Sequence, residues 1–131
     1  MSRQNVELTH HAYDAVNRRD RDVFLTLMDA DVEAVSILVG MEGDYHGHAG
    51  IRRWWESLLD VFPDFAIEVI EVRDFGDWTL GTLRIRGHGA DSDTPVDMSL
   101  WQVARWRRGK CVRWRSYGPQ AEAFEAVGLR E

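Results

Sequence analysis

Apolar and polar positions alternate most regularly over residues 96–117, VDMSLWQVARWRRGKCVRWRSY. The alternation predicts two long strands. A three-residue loop at Arg107, Arg108 and Gly109 would join them, with Gly109 in the left-handed conformation. That loop sets Trp106 opposite Lys110, Ala104 opposite Val112, Gln102 opposite Trp114 and Leu100 opposite Ser116. One face then reads Val96, Met98, Leu100, Gln102, Ala104, Trp106, Val112, Trp114, an apolar row with one amide in its middle. The other face carries Asp97, Ser99, Trp101, Arg105, Arg113 and Arg115.

Upstream, the period changes to that of a helix over residues 3–18, with Val6, Leu8, Ala12, Ala15 and Val16 as a loose stripe and Tyr13 beside it. Asp20 is placed to cap a short second helix that turns Val23, Phe24, Leu27 and Met28 inward. Residues 32–39 read as a strand. The glycine-punctuated stretch 40–50, GMEGDYHGHAG, reads as a loop with a short hairpin arm. A third helix over 51–62 buries Ile51, Trp55, Leu58, Leu59 and Phe62, and Pro63 stops it. Neighbouring helix positions differ by about 100°, so Trp54 and Trp55 should not both turn inward; Trp54 is expected at the pocket or near a partner. Strands over 65–73 and 78–86 follow, then a loop over 87–95 and the hairpin. Pro119 suits the first position of a closing helix and Gly128 its C-terminal cap, with Ala123, Phe124 and Val127 packing it down. The expected fold class is α+β: a curved antiparallel sheet, helices on one face, and a pocket between them.

The 131 residues make one domain, residues 1–131, long enough to bury a core without staples. A formal charge of −6 argues against a nucleic-acid or anionic-membrane binder. No apolar run reaches membrane-spanning length, and MSRQNVELTHH lacks the apolar stretch of a signal peptide. The single cysteine, Cys111, leaves no internal disulfide. The expected compartment is the cytoplasm.

The order helix, NRRD turn, helix, DADVEA strand, GHAGIRRWWESLLDVFPDF helix, IEVIEVRDFGD, WQVARWRRGKCVRWRSY resembles the SnoaL-like branch of the nuclear transport factor 2-like superfamily. The resemblance covers about residues 6–129. It implies a conical α+β barrel holding a small molecule at its open end, and a homodimer through the outer sheet face. Members include polyketide cyclases, ketosteroid isomerases, dehydratases and epoxide hydrolases, so the fold leaves the chemistry open. The ketosteroid isomerase branch implies a carboxylate base where Ala34 stands and an oxyanion tyrosine where Ala12 stands, with Tyr13 one step away. An acidic residue of the penultimate strand matches Gln102, which donates a hydrogen bond but shuttles no proton. Neither dyad is intact.

The expected catalytic residues are therefore His46, an acid/base near neutral pH, and Tyr45, both in the loop before the third helix. Gln102 is the expected ligand contact, because leaving a buried amide unsatisfied costs about 1–3 kcal/mol; the alternative is a structural bond to Ser116 or to backbone. Trp114, Trp54, Ser36 and Tyr13 complete the expected ligand-binding set. His46 and His48, two residues apart without a third ligand, make a poor metal site, and no metal or cofactor is expected. His48 would cap the third helix or stand in solvent. Arg84, Arg86 and His88 alternate on one strand, either as an anion site or paired across strands with Glu68 or Asp97. Trp101, Arg105, Arg113 and Arg115 are the expected homodimer surface. Two readings stay open: a cofactor-independent isomerase, cyclase or hydratase acting on an apolar carbonyl or polycyclic substrate, and a non-catalytic binding or assembly module.

Overall fold

The computed structural model of the chain describes residues 2–36, 43–90, 95–118 and 120–128. Helix α1 spans Ser2–Asn17 and α2 spans Arg21–Leu27. Asp20 caps α2, accepting a hydrogen bond from the Val23 amide at 3.2 Å. Strand β1, Met28–Ser36, begins directly where α2 ends, four residues before the expected start. The rest of the expected strand, residues 37–39, lies outside the described residues, as do 40–42 of the glycine-rich loop and Pro119. The anticipated hairpin arm is strand β2, Gly43–His46, antiparallel to β1. Helix α3, Gly47–Val61, also begins four residues early. Gly47 permits this at φ +67°, where an added Cβ would meet the Ala30 carbonyl at 3.1 Å.

Strands β3 (Ala66–Phe75), β4 (Trp78–His88), β5 (Pro95–Arg107) and β6 (Lys110–Tyr117) follow, then helix α4 (Gln120–Ala126). They form one curved, unclosed sheet in the order β2-β1-β6-β5-β4-β3. The sheet is not wholly antiparallel: β1 lies parallel to β6, pairing Ala34 with Trp114. The α2–β1–β2–α3 segment thus joins the sheet beside its last strand. No helix among the described residues is long and apolar enough to cross a membrane.

The β5–β6 turn is tighter than the expected three-residue loop. Arg108 (φ +53°) and Gly109 (φ +78°) form a two-residue turn with both central residues left-handed, the type that matches strand twist. Arg107 pairs with Lys110 and Trp106 with Cys111. A bulge at Val112 then shifts the register, so that Ala104 pairs with Trp114 and Gln102 with Ser116. Cys111 therefore replaces Val112 on the inner face: the thiol is fully buried and Val112 half-buried. The inner face of β5 is otherwise as expected.

Helices α1, α2 and α3 pack on the inner face, but α4 packs on the other. Ala123 and Phe124 cover Leu80 and Val103, with Trp78, Trp101 and Tyr117 at the margin. Trp54 and Trp55 are both buried, contrary to the helical-phase expectation. One phenyl ring covers both indoles. Phe24 of α2 lies 5.7 Å from the Trp54 ring and 5.5 Å from that of Trp55, and the two indoles meet edge-on. A large ring on the shoulder of a helix can be buried whenever a second helix closes over it.

Candidate functional site

Helix α1 is fixed to the inner face by a buried polar cluster. The Thr9 hydroxyl donates to the Asn5 carbonyl at 2.8 Å and accepts from Thr79 at 2.8 Å. The Trp106 indole N–H reaches Thr9 at 3.0 Å and Thr79 at 3.2 Å. One helical turn on, on the same face, stands Tyr13. Its hydroxyl donates to Gln102 Oε1 at 2.5 Å. Gln102 Nε2 donates to the Val103 carbonyl at 2.7 Å. Both side chains are at most 1% exposed.

The sheet makes room for this pair. Gly81, Gln102 and Ser116 form a row across β4, β5 and β6. The amide is thus flanked by a residue without a side chain and by a hydroxymethyl. A Cβ at Gly81 would stand 2.2 Å from the Tyr13 hydroxyl oxygen and 3.0 Å from its ring carbon. Only glycine lets the phenol lie on the β4 backbone and reach across to β5. The signal for Gly81 was a glycine in the interior of a strand, which often marks a close backbone approach.

Around the pair, Ser36, Trp54, Phe65, Ile67, Leu83, Ile85, Leu100, Trp114 and Ser116 line a void of about 30 Å³. That is room for about one or two water molecules. Trp114 meets the Tyr13 ring edge-on at 5.7 Å. Burial is the main cause that pushes the Tyr13 phenol far above its ordinary value of 10.0, and the Cys111 thiol adds to it. Tyr13 therefore stays an O–H donor. Burial likewise pushes the Cys111 thiol well above 9.0, against the lowering effect of its bonds to backbone, so it is no nucleophile. What remains for a ligand is the second amide N–H of Gln102, the lone pairs of the Tyr13 oxygen and the hydroxyl of Ser116.

All five expected ligand contacts, Gln102, Trp114, Trp54, Ser36 and Tyr13, line this void. Tyr13, rather than Ala12, carries the helix hydroxyl to the sheet. The expected catalytic residues go elsewhere. Tyr45 pairs with Ala34 and packs under Arg53, whose guanidinium lies 5.6 Å from the ring centroid; it does not line the void. His46 pairs with Glu33 on the outer face, exposed, beside a groove with Asp44, Arg113 and Arg115. Tyr45 borders that groove too, and neither residue lines the void around Tyr13 and Gln102. His48 lies inside α3 rather than at its cap, and its Nε2 bonds the carbonyl of Met28, the residue that ends α2, at 2.9 Å. The Arg84–Arg86–His88 row is paired, as its second reading had it: Arg84 grips Asp97 with two bonds at 2.7 and 3.1 Å, Arg86 lies 3.4 Å from Glu68, and His88 bonds Asp64 at 2.7 Å.

Residues 9–114 match the SnoaL-like domain model. No curated protein matches the chain in sequence. Solved structures align along nearly the whole chain. An NTF2-like protein of unknown function from Burkholderia pseudomallei is 18% identical, with a TM-score of 0.81, covering 96% of this chain and 98% of its own. TerC, co-crystallised with polyporic acid, is 22% identical at a TM-score of 0.79, with 95% and 98% covered. A proposed SnoaL-like polyketide cyclase from Jannaschia sp. is 18% identical at 0.79, with 99% and 95% covered.

Proposed function

The chain belongs to the SnoaL-like domain family, and from that premise we propose that it binds a small, neutral, largely apolar molecule between the sheet and helices α1 and α3. The observation that carries this reading is the Tyr13–Gln102 pair on the floor of an apolar void. A carbonyl on the ligand would accept the free N–H of Gln102, and a ligand hydroxyl would donate to the Tyr13 oxygen. Aromatic rings would meet Trp114 and Trp54. TerC, with its polyporic acid, and the proposed polyketide cyclase favour a polycyclic or carbonyl-bearing ligand for this chain too.

Ligand pockets usually enclose ~300–1,000 Å³, against about 30 Å³ here. Binding therefore requires the lining to part. No lining residue changes charge near neutral pH. Chemistry at this site would polarise a carbonyl rather than relay a proton, which places binding ahead of isomerisation, cyclisation or hydration. A thermal-shift screen with polyporic acid, aromatic polyketides, steroids and small acids tests this. A ligand at a hundredfold its dissociation constant adds about 2.7 kcal/mol of stability. Shifts confined to the small acids would contradict the proposal.

A second reading concerns assembly. The Trp101 indole N–H is buried on the outer face with no acceptor among the described residues. Arg105 stacks on Trp78 at 5.5 Å and Arg115 on Tyr117 at 5.0 Å. Trp101, Arg105, Arg113 and Arg115 would then meet a second copy of the chain. Light scattering at micromolar concentration that reports a 15.1 kDa particle would end this reading.

A further inference from the structure

The tip of the β5–β6 hairpin is built against its own stability. Its register places Arg105 opposite Arg113 and Arg107 opposite Lys110. Like charges directly opposed on antiparallel strands weaken the pairing. Arg108 holds φ +53° in a turn position that Asn or Gly occupies with less strain. None of Arg105, Arg107 and Arg108 takes part in an ion pair among the described residues. Arg84 and Arg86 at the far end of β4, by contrast, have carboxylate partners. Unrelieved strain and charge of this kind point to a ligand.

These three arginines line one concave basin of about 420 Å³, with Gln4 and Asn5 of α1 and Asp77 of the β3–β4 turn. Its rim is held in place. Asn5 donates to the Gly76 carbonyl at 3.0 Å, the Trp106 amide donates to the Asp77 carbonyl at 2.8 Å, and Arg105 is seated over Trp78. Asp77 is the one carboxylate among the lining residues, so the basin keeps an excess of two positive charges in a chain of formal charge −6.

We propose that this basin is a second binding site, for a small oxyanion carrying two or more negative charges, such as a phosphate ester or a polycarboxylate. Guanidinium forks suit such groups, because each presents two parallel donors to two oxygens. A long polyanion is disfavoured by the formal charge of −6 on the chain as a whole. The site is independent of the Tyr13–Gln102 cavity, and its failure would leave that reading untouched.

The test is a calorimetric titration with inorganic pyrophosphate, and separately with citrate, at constant low ionic strength. The wild type and Arg108→Gly are compared, with Arg107→Gln/Arg108→Gly as the stronger variant. The expected result is saturable binding by the wild type and about tenfold weaker binding by Arg108→Gly. That variant should also melt higher than the wild type, since glycine relieves the turn, and so separates binding from folding. Weak binding of both probes in the double variant would complete the case. Absence of saturable binding, equal affinity in all three proteins, or tighter binding of a DNA oligonucleotide than of either small anion would overturn the proposal.

Discussion

The inner floor of the sheet and the tip of its hairpin treat polar groups in opposite ways. On the floor, every group is neutral, and Tyr13, Gln102, Thr9, Thr79 and Trp106 bond one another at 2.5–3.2 Å. At the tip, three guanidiniums share a basin with one carboxylate, and none forms an ion pair among the described residues. The difference follows from the cost of burial. A buried polar atom without a partner costs about 1–3 kcal/mol, so the interior has to satisfy its own. Exposed arginines are satisfied by water, so the surface can hold charge in reserve for a ligand. The two proposals thus put neutral molecules inside the fold and anions at its surface.

The comparison can be broken first at Trp54. Trp54→Ala should cost about 3–5 kcal/mol in urea unfolding, since it empties a buried, stacked position. It should also widen the cavity and raise the affinity of the larger members of the ligand panel. A loss under 1 kcal/mol would mean that the ring is not packed as described. Next is Gly81→Ala, expected to cost about 2–3 kcal/mol through overpacking against Tyr13. Adding Tyr13→Phe should recover part of that loss, and strict additivity of the two changes would argue against the contact.

Gln102→Leu should cost about 1–2 kcal/mol, because it leaves the Tyr13 hydroxyl buried without an acceptor. The pair Tyr13→Phe/Gln102→Leu should come closer to the wild type than Gln102→Leu alone. The smallest effects are those of pH. Tyr13 and Cys111 have folded values raised above 10.0 and 9.0. Their contribution is present below those values and is lost as pH rises past them, so stability should decline from about pH 9 upward. Asp64 and Asp97 are lowered from 3.8, chiefly by hydrogen bonds from His88 and Arg84. Their contribution is present above 3.8 and fades as pH falls through the lowered folded values. Both carboxylates are exposed, so this acid limb should be slight. Ligand binding in the cavity should be flat between these two limits, whereas a sigmoidal step near pH 6.5 would implicate a histidine.

Much of the floor was legible in the sequence, because a two-residue period marks a strand face whatever the loop does. Leu100, Gln102, Ala104, Trp106 and Trp114 all fall on the inner face. The register was not legible: Arg108 as a left-handed non-glycine residue hid the two-residue turn, and the bulge at Val112 left no mark in the composition. His46 and Tyr45 were misplaced because the phase of β2 is set by its pairing with β1, Ala34 with Tyr45, across the undescribed residues 37–42. Parallel pairing of β1 with β6 joins residues about eighty positions apart, and no local pattern announces it. Gly81 was read only as a strand residue, since its role exists only once Tyr13 is laid over it.

The central claim is that the Tyr13–Gln102 pair recognises a neutral ligand. It is tested most directly by running the thermal-shift panel on the wild type and on Tyr13→Phe/Gln102→Leu side by side. At least one neutral polycyclic or carbonyl compound should raise the wild-type melting temperature, and that rise should vanish, or shrink by most of its size, in the double variant. An equal rise in both proteins, or no rise with any neutral compound in the wild type, would contradict the claim.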